Sequence, residues 1–392
     1  MMSIQQWWLL ALPFFFALGW VAARIDIRQL LRESRALPRS YFRGLNFLLN
    51  EQPDKAIEAF LEAARVDPET VELHFALGSL FRRRGETDRA IRVHQNLVER
   101  EGLKEDHRLT ALVELGQDYL KAGLLDRAED IFVKLRTTAR DEEALRALLE
   151  IYQQEKEWAK AIAIAEAMPD HADHLWQTAI AEFHCELAST ELLHGRLAEA
   201  RRQIDAALAA NRKCVRATIL AGELAASEGR LADAIDTWTR VEQQNPAYLA
   251  LVADKLMAAY RQSGDAARGH QVLRGYLERH PSLDLLDAAF KAELERAGAE
   301  AAVALVRDEM RRNPTLLALD KFLEAQVLVA RPEHRADLEM VKTLIHGHTR
   351  RVARYRCGQC GFKARQFHWR CPACGGWETY PPRRSEEFDL EP

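Results

Sequence analysis

The sequence predicts an all-α chain: a superhelix of short helical repeats, with a transmembrane helix ahead of it and a small metal-binding module behind it. Three observations carry that expectation. A pattern of glycines and small residues recurs through the middle at steps of 33 to 39 residues. A stretch without charge lies near the start, and two Cys-x-x-Cys pairs stand close to the C-terminus. A net charge of −4 and 48% hydrophobic residues exclude both a disordered acidic chain and a broadly basic nucleic-acid binder. The length, 392 residues, allows two or three domains.

The uncharged stretch, Trp7 to Ala23, is seventeen residues long, the short end of what crosses a bilayer as a helix. Trp7, Trp8 and Trp20 sit near its ends, where indoles favour the membrane interface. Arg24, Arg28, Arg32, Arg35 and Arg39 follow it against only Asp26 and Glu33, and no Lys or Arg precedes it. The positive-inside rule then puts the long C-terminal part in the cytoplasm. A cleaved signal peptide would begin with a basic region, which this chain lacks. Residues 1–23 are therefore read as a single-pass anchor and 24–37 as a basic juxtamembrane segment.

Residues 38–330 are read as about eight repeats. A glycine or similar breaker is followed by a small residue at 56, 90, 128, 161, 200, 234, 269 and 302. Twelve residues earlier stand Gly44, Gly78, Gly116, Ala188 and Gly222; twelve residues later stand Pro68, Pro246, Pro281 and Pro314. Small residues let two helices approach, glycine breaks the chain between them, and proline ends the second helix. The pattern is similar to the tetratricopeptide repeat, a helix–turn–helix of about 34 residues. One unit cannot bury its own face, so units stack and leave a groove, which such arrays use to bind a protein segment. A plain spacer is the lesser alternative. The two longest steps predict longer helices or connections near residues 100–110 and 168–180.

After a connector, 331–353, residues 354–380 hold Cys357, Cys360, Cys371 and Cys374, spaced as C-x-x-C, ten residues, C-x-x-C. Four thiolates form the tetrahedral set of a closed structural zinc site, and Gly361, Gly375 and Gly376 suit the tight turns each pair needs. We expect one metal ion, zinc ahead of iron. Two disulfides would require an oxidising compartment, which the cytoplasmic placement argues against. The module is too small to fold by burial alone, so the metal must supply much of its stability. Its aromatics, Tyr355, Phe362, Phe367, Trp369, Trp377 and Tyr380, read as a miniature core, and its place on the chain favours the last repeats as its packing partner. Basic residues among them suggest nucleic acid only weakly, since the cluster is small and an acidic tail, 381–392, follows. Electron transfer through iron lacks a flavin or dinucleotide motif elsewhere in the chain.

No motif of a metalloprotease, P-loop enzyme, serine hydrolase or dinucleotide-binding enzyme occurs, and a four-cysteine site leaves no open metal position. The chain is read as a non-enzyme. Cys185 and Cys214 are read as packing residues.

Several strings together are similar to the lipopolysaccharide assembly protein B family (LapB, YciM) of Gram-negative bacteria. They are S-Y-F-R-G-L-N-F-L-L-N at 40–50, R-R-R-G-E-T-D-R-A-I-R-V-H-Q at 82–95, D-Y-L-K-A-G-L-L-D-R-A-E-D at 118–130, R-Y-R-C-G-Q-C-G-F at 354–362 and W-R-C-P-A-C-G-G-W-E-T at 369–379. The resemblance spans essentially the whole chain, and the strings around the cysteines are its most specific part. It implies an inner-membrane regulator of lipopolysaccharide synthesis with its repeats and metal module on the cytoplasmic side. It further implies an adaptor that promotes degradation of the LpxC deacetylase by the FtsH protease, with other lipopolysaccharide assembly proteins as partners. The four cysteines carry over one for one to a module called rubredoxin-like, although the spacing here is shorter than a rubredoxin's. A scaffold for envelope-assembly enzymes, without directed proteolysis, is the alternative. Self-association stays open.

Overall fold

The computed structural model describes residues 39–66, 70–169 and 171–386. The stretches read as anchor and juxtamembrane segment, 1–23 and 24–37, lie outside them, as do the last six residues of the tail. Among the described residues no helix is long and apolar enough to cross a membrane.

The chain divides after Ile151 into two compact units. The first contains the helix pairs Arg39–Leu49 with Pro53–Val66, Val71–Arg83 with Thr87–Val98, and Glu105–Lys121 with Leu125–Leu135. The helix Asp141–Glu155 runs through the division. The second unit begins its helices at Trp158–Glu166. Its pairs are His174–Leu193 with Leu197–Ala210, Val215–Ser227 with Leu231–Thr239, Leu249–Gln262 with Ala266–Arg279, and Leu283–Ala297 with Ala299–Arg312. A last pair, Leu316–Val329 with Pro332–Val352, takes up most of the stretch read as a connector. The long steps in the repeat come from long helices: Glu105–Lys121 has 17 residues and His174–Leu193 has 20.

The small residue of every second helix is buried, Ala56, Ala90, Ala128, Ala161, Ala200, Ala234 and Ala302 completely so and Gly269 with them. The glycine twelve residues earlier has a more specific task than close backbone approach. It clears space for a ring sixteen residues further on. A Cβ on Gly44 would stand 2.6 Å from the Phe60 ring, on Gly78 2.3 Å from His94, on Gly116 2.6 Å from Phe132 and on Gly222 2.3 Å from Trp238. Alanine at any of them would overpack a core that has no slack, at about 1–3 kcal/mol. Where the small residue is Ala188, the residue sixteen later is Ile204 rather than a ring.

In the second repeat the ring slot holds His94, which is fully buried. Its Nδ1 lies 2.5 Å from Asp118 Oδ2, while Arg82 Nη1 donates to Asp118 Oδ1 at 2.7 Å. A buried carboxylate persists because both of its oxygens are matched.

The breaks between helices use a common closure. At Gly229, φ 77° lets Arg230 N–H bond Ala225 C=O at 2.9 Å and Gly229 N–H bond Ala226 C=O at 3.0 Å, the two bonds of a Schellman end. The fourth repeat lacks the glycine, so Lys156 takes φ 59° instead and Glu157 N–H reaches Tyr152 C=O at 2.8 Å.

Candidate metal centre and its seat on the repeats

The only strands among the described residues belong to the C-terminal module. β1, Ala353–Arg356, pairs antiparallel with β2, Lys363–Ala364, on one side and with β3, Ser385–Glu386, on the other. Each Cys-x-x-Cys pair then forms the same tight knuckle. Cys357 N–H bonds Phe362 C=O at 2.8 Å and Gly361 N–H bonds Cys357 C=O at 3.0 Å. In the second knuckle Cys371 N–H bonds Gly376 C=O and Gly375 N–H bonds Cys371 C=O, both at 2.9 Å. Gly361 at φ 76° and Gly375 at φ 70° supply the left-handed step that closes each loop.

The knuckles face each other. All four sulfurs lie within 4.8 Å of one another, with Cys357 Sγ 3.8 Å from Cys374 Sγ and Cys360 Sγ 3.7 Å from Cys371 Sγ. A tetrahedral site with metal–sulfur bonds of about 2.3 Å has sulfur–sulfur edges of about 3.8 Å, so this donor set fits one ion closely. Cys357 and Cys371 are buried, 1% exposed each. Burial alone would raise the Cys357 thiol, but Thr379 and the backbone N–H groups of Cys360 and Gln359 outweigh it and bring the group down. At Cys360 the Phe362 N–H is outweighed by burial and the neighbouring cysteines, which push that thiol the other way, so the four sulfurs share their protons as one cluster. The thiolate, not the thiol, is the form a metal takes up.

Tyr355, Phe362, Phe367 and Tyr380 pack behind the cysteines as the expected miniature core. Tyr380 is 1% exposed, and its hydroxyl donates to Tyr355 C=O at 3.0 Å. Trp369 and Trp377 do something else: they bind the module to the repeats. Trp369 stacks on Tyr248 with centroids 5.5 Å apart and planes 14° apart, and the Arg216 guanidinium lies 5.2 Å from its ring. Trp377 meets Trp158 edge-on at 6.1 Å and Phe183 at 5.9 Å. At the far edge Arg384 Nε donates to Asp284 Oδ1 at 2.8 Å.

The seat therefore runs over repeat residues from Trp158 to Asp284. The module meets the last repeats, as expected, through Arg384 on Asp284, but its seat reaches further back along the array than expected. The physical reason is that Trp158, Phe183 and Tyr248 form an aromatic surface that its tryptophans cover.

Beneath this seam lie two carboxylates. An oxygen of Glu182, an oxygen of Glu378 and Cys214 Sγ are all within 4.8 Å of one another. Glu182 is fully buried and accepts from Arg216 Nη1 at 3.0 Å, and the same nitrogen reaches Glu186 Oε1 at 2.8 Å. Glu378, on the module, has φ 53° and a buried Oε1 without a hydrogen-bond partner. Burial, opposed by Arg216 and assisted by Glu378 and Glu186, pushes the Glu182 carboxyl up to about 7. Burial also raises Glu378, with His174 opposing.

Both carboxyls thus hold a proton more tightly in the seat than in the unfolded chain. Raising the pH from the ordinary 4.5 through about 7 should remove stability from the seat, with little further loss above that. We expect the denaturant midpoint for module release, read by tryptophan fluorescence, to fall across that window. Glu182→Gln should flatten the slope; an unchanged slope in the variant would remove the carboxylate pair from the explanation.

Cys185 and Cys214 are both fully buried in the repeat core, as packing residues are. The seat residues were not legible in the sequence. One signal existed: Arg216 is the lone charge in the run V-R-A-T-I-L-A at 215–221, and a charge inside an apolar helix needs a partner.

A family model described as a rubredoxin metal binding domain matches residues 355–382. A tetratricopeptide-repeat model matches residues 43–100 and 185–248. The chain is 36% identical over 380 residues to lipopolysaccharide assembly protein B of Escherichia coli (strain K12), covering 96% of this chain and 97% of that one. It is 30% identical over 393 residues to the protein of the same name from Haemophilus influenzae, covering 97% of this chain and 98% of the other. With repeats, four-cysteine module and end-to-end similarity in agreement, this chain belongs to the lipopolysaccharide assembly protein B family.

Proposed function

We propose that this chain is a non-enzymatic adaptor that regulates lipopolysaccharide synthesis at the inner membrane, presenting the LpxC deacetylase to the FtsH protease. Its apolar segment, Trp7 to Ala23, anchors it as a single pass with repeats and metal module on the cytoplasmic side. Cys357, Cys360, Cys371 and Cys374 bind one ion, zinc in preference to iron, and that ion is structural. Four protein thiolates complete a tetrahedron, so no position is left for water or substrate.

The observation that carries this reading is the end-to-end similarity to relatives named for lipopolysaccharide assembly. The seat adds a physical reason. The ion folds the module, and the module's two tryptophans cover Trp158, Phe183 and Tyr248, fixing the order of the repeats they come from. Because that face is occupied, the cargo engages other surfaces of the repeats. An anchor that confines the cargo beside a membrane protease raises its effective concentration there without any new contact.

The test is the half-life of LpxC after translation is arrested, with and without this protein in its host. Rapid decay only in its presence is expected. An unchanged half-life would contradict directed proteolysis and leave the repeats as a scaffold for lipopolysaccharide assembly proteins.

A further inference from the structure

Where the module's last strand meets the repeats there is a cavity of about 450 Å³. Two helices begin at it. Leu283–Ala297 starts at Ser282, whose hydroxyl accepts from Leu285 N–H at 3.2 Å. Leu316–Val329 starts at Thr315, whose hydroxyl accepts from Ala318 N–H at 3.1 Å. Both turn the positive end of a helix dipole towards the same space. Arg383, on the wall that the module contributes, is exposed and has no carboxylate paired to it among the described residues. Leu286 and Leu317, 2% and 7% exposed, make another part of the lining apolar.

Glu309 indicates what kind of occupant fits. It lines the cavity with its side chain 5% exposed. Its Oε1 accepts from Asn313 Nδ2 at 2.6 Å. Its Oε2 is buried and accepts no hydrogen bond, for Arg312 Nη2 stands 3.4 Å away as an ion pair only. A buried carboxylate oxygen in that position favours an occupant with an N–H to donate. A bare inorganic anion has none. A peptide has its backbone N–H groups, and one with acidic side chains also answers the two helix ends and Arg383.

The sequence supplies such a segment beside the cavity. Asp284, in the first turn of Leu283–Ala297, accepts from Arg384 Nε at 2.8 Å and from Arg384 N–H at 3.5 Å, which pins the chain there just before β3. After β3 come Glu387, Phe388, Asp389, Leu390, Glu391 and Pro392. Six residues reach at most about 20 Å, enough to cross a cavity that Arg383 and Arg384 already line. Acidic and apolar residues alternate along them, so an extended segment would turn Phe388 and Leu390 to one side and its acids to the other. A wall that is part apolar and part positive meets both. Tethering also gives the segment an effective concentration that an acidic stretch of another protein lacks.

We propose that residues 387–392 dock in this cavity, with their acids towards Arg383 and the two helix ends and a backbone N–H on Glu309. The tail then straps the metal module to the last two helix pairs, at a point separate from the tryptophan seat.

The test uses the full chain with a photo-crosslinking phenylalanine derivative in place of Phe388, mixed with an equal amount of isotope-labelled copies. Crosslinks from 388 to residues 281–318 of the same copy are the expected result. Arg383→Glu should lower their yield by about threefold or more, and so should Glu387→Gln with Asp389→Asn. Raising the salt to about 1 M, where screening acts within about 3 Å, should lower it too. Crosslinks to other parts of the chain, to a second copy or to another protein would overturn the proposal. So would no crosslink at all, or a yield that neither the substitutions nor salt change.

Discussion

Replacing Cys357 with serine is expected to release the metal and unfold residues 353–386 while the repeats stay helical. The module has only three short strands and four core rings, Tyr355, Phe362, Phe367 and Tyr380, around its cysteines. Burial on that scale does not hold a fold. Structural zinc contributes about 10–16 kcal/mol in small modules, more than the rest of such a module can replace. Serine at 357 removes one of four ligands and also the bonds that Thr379 and the knuckle N–H groups make to the sulfur. Elemental analysis should fall from one metal per chain towards none, with the far-UV helical signal nearly unchanged. Full metal content in the variant would show that three sulfurs suffice; a collapse of the helical signal would show that the repeats cannot stand without the cap.

Trp377→Ala should separate folding of the module from its attachment. The indole lies edge-on to both Trp158 and Phe183, which are themselves stacked at 5.7 Å, so alanine leaves a gap at the centre of the seam. Loss of a packed tryptophan costs about 3 kcal/mol or more. The ring takes no part in holding the ion, so one metal per chain should remain. The expected result is a module that keeps its metal but is cut away by protease under conditions that leave the parent intact. On the proposed adaptor reading, LpxC in the host should then decay more slowly than with the parent protein. Parent-like protease resistance would mean that Trp369 on Tyr248 and Arg384 on Asp284 hold the module without Trp377.

What could be read from the sequence was whatever depends on local spacing. The cysteines announce their knuckles because each is built from consecutive residues, and the eight small residues announce their helices because each repeats the same crossing. The ring partners sixteen residues on were overlooked because Phe60, His94, Phe132 and Trp238 share a slot but not a residue type. The final helix pair was also missed, although Ala336 continues the ladder 34 residues after Ala302. It lies in an exposed helix start with no glycine before it, so it lacks the mark the others share. The seat was out of reach for a different reason. Trp158, Phe183, Arg216, Tyr248 and Asp284 come from five separate elements, and no local pattern links them to Trp369, Trp377 or Arg384. Glu182 and Glu378, nearly two hundred positions apart in the sequence, meet only because the module is seated.

The most direct measurement is hydroxyl-radical footprinting of Tyr248 and Phe183 in the metal-loaded protein and after the metal is stripped with a chelator. In the structure these rings are 3% and 0% exposed under the module's tryptophans. If the ion holds the module and the module covers the repeats, both rings should be protected when metal is bound and labelled once it is gone, while Phe60 and Phe132 stay protected throughout. Equal labelling of Tyr248 and Phe183 in the two states would contradict a metal-dependent seat.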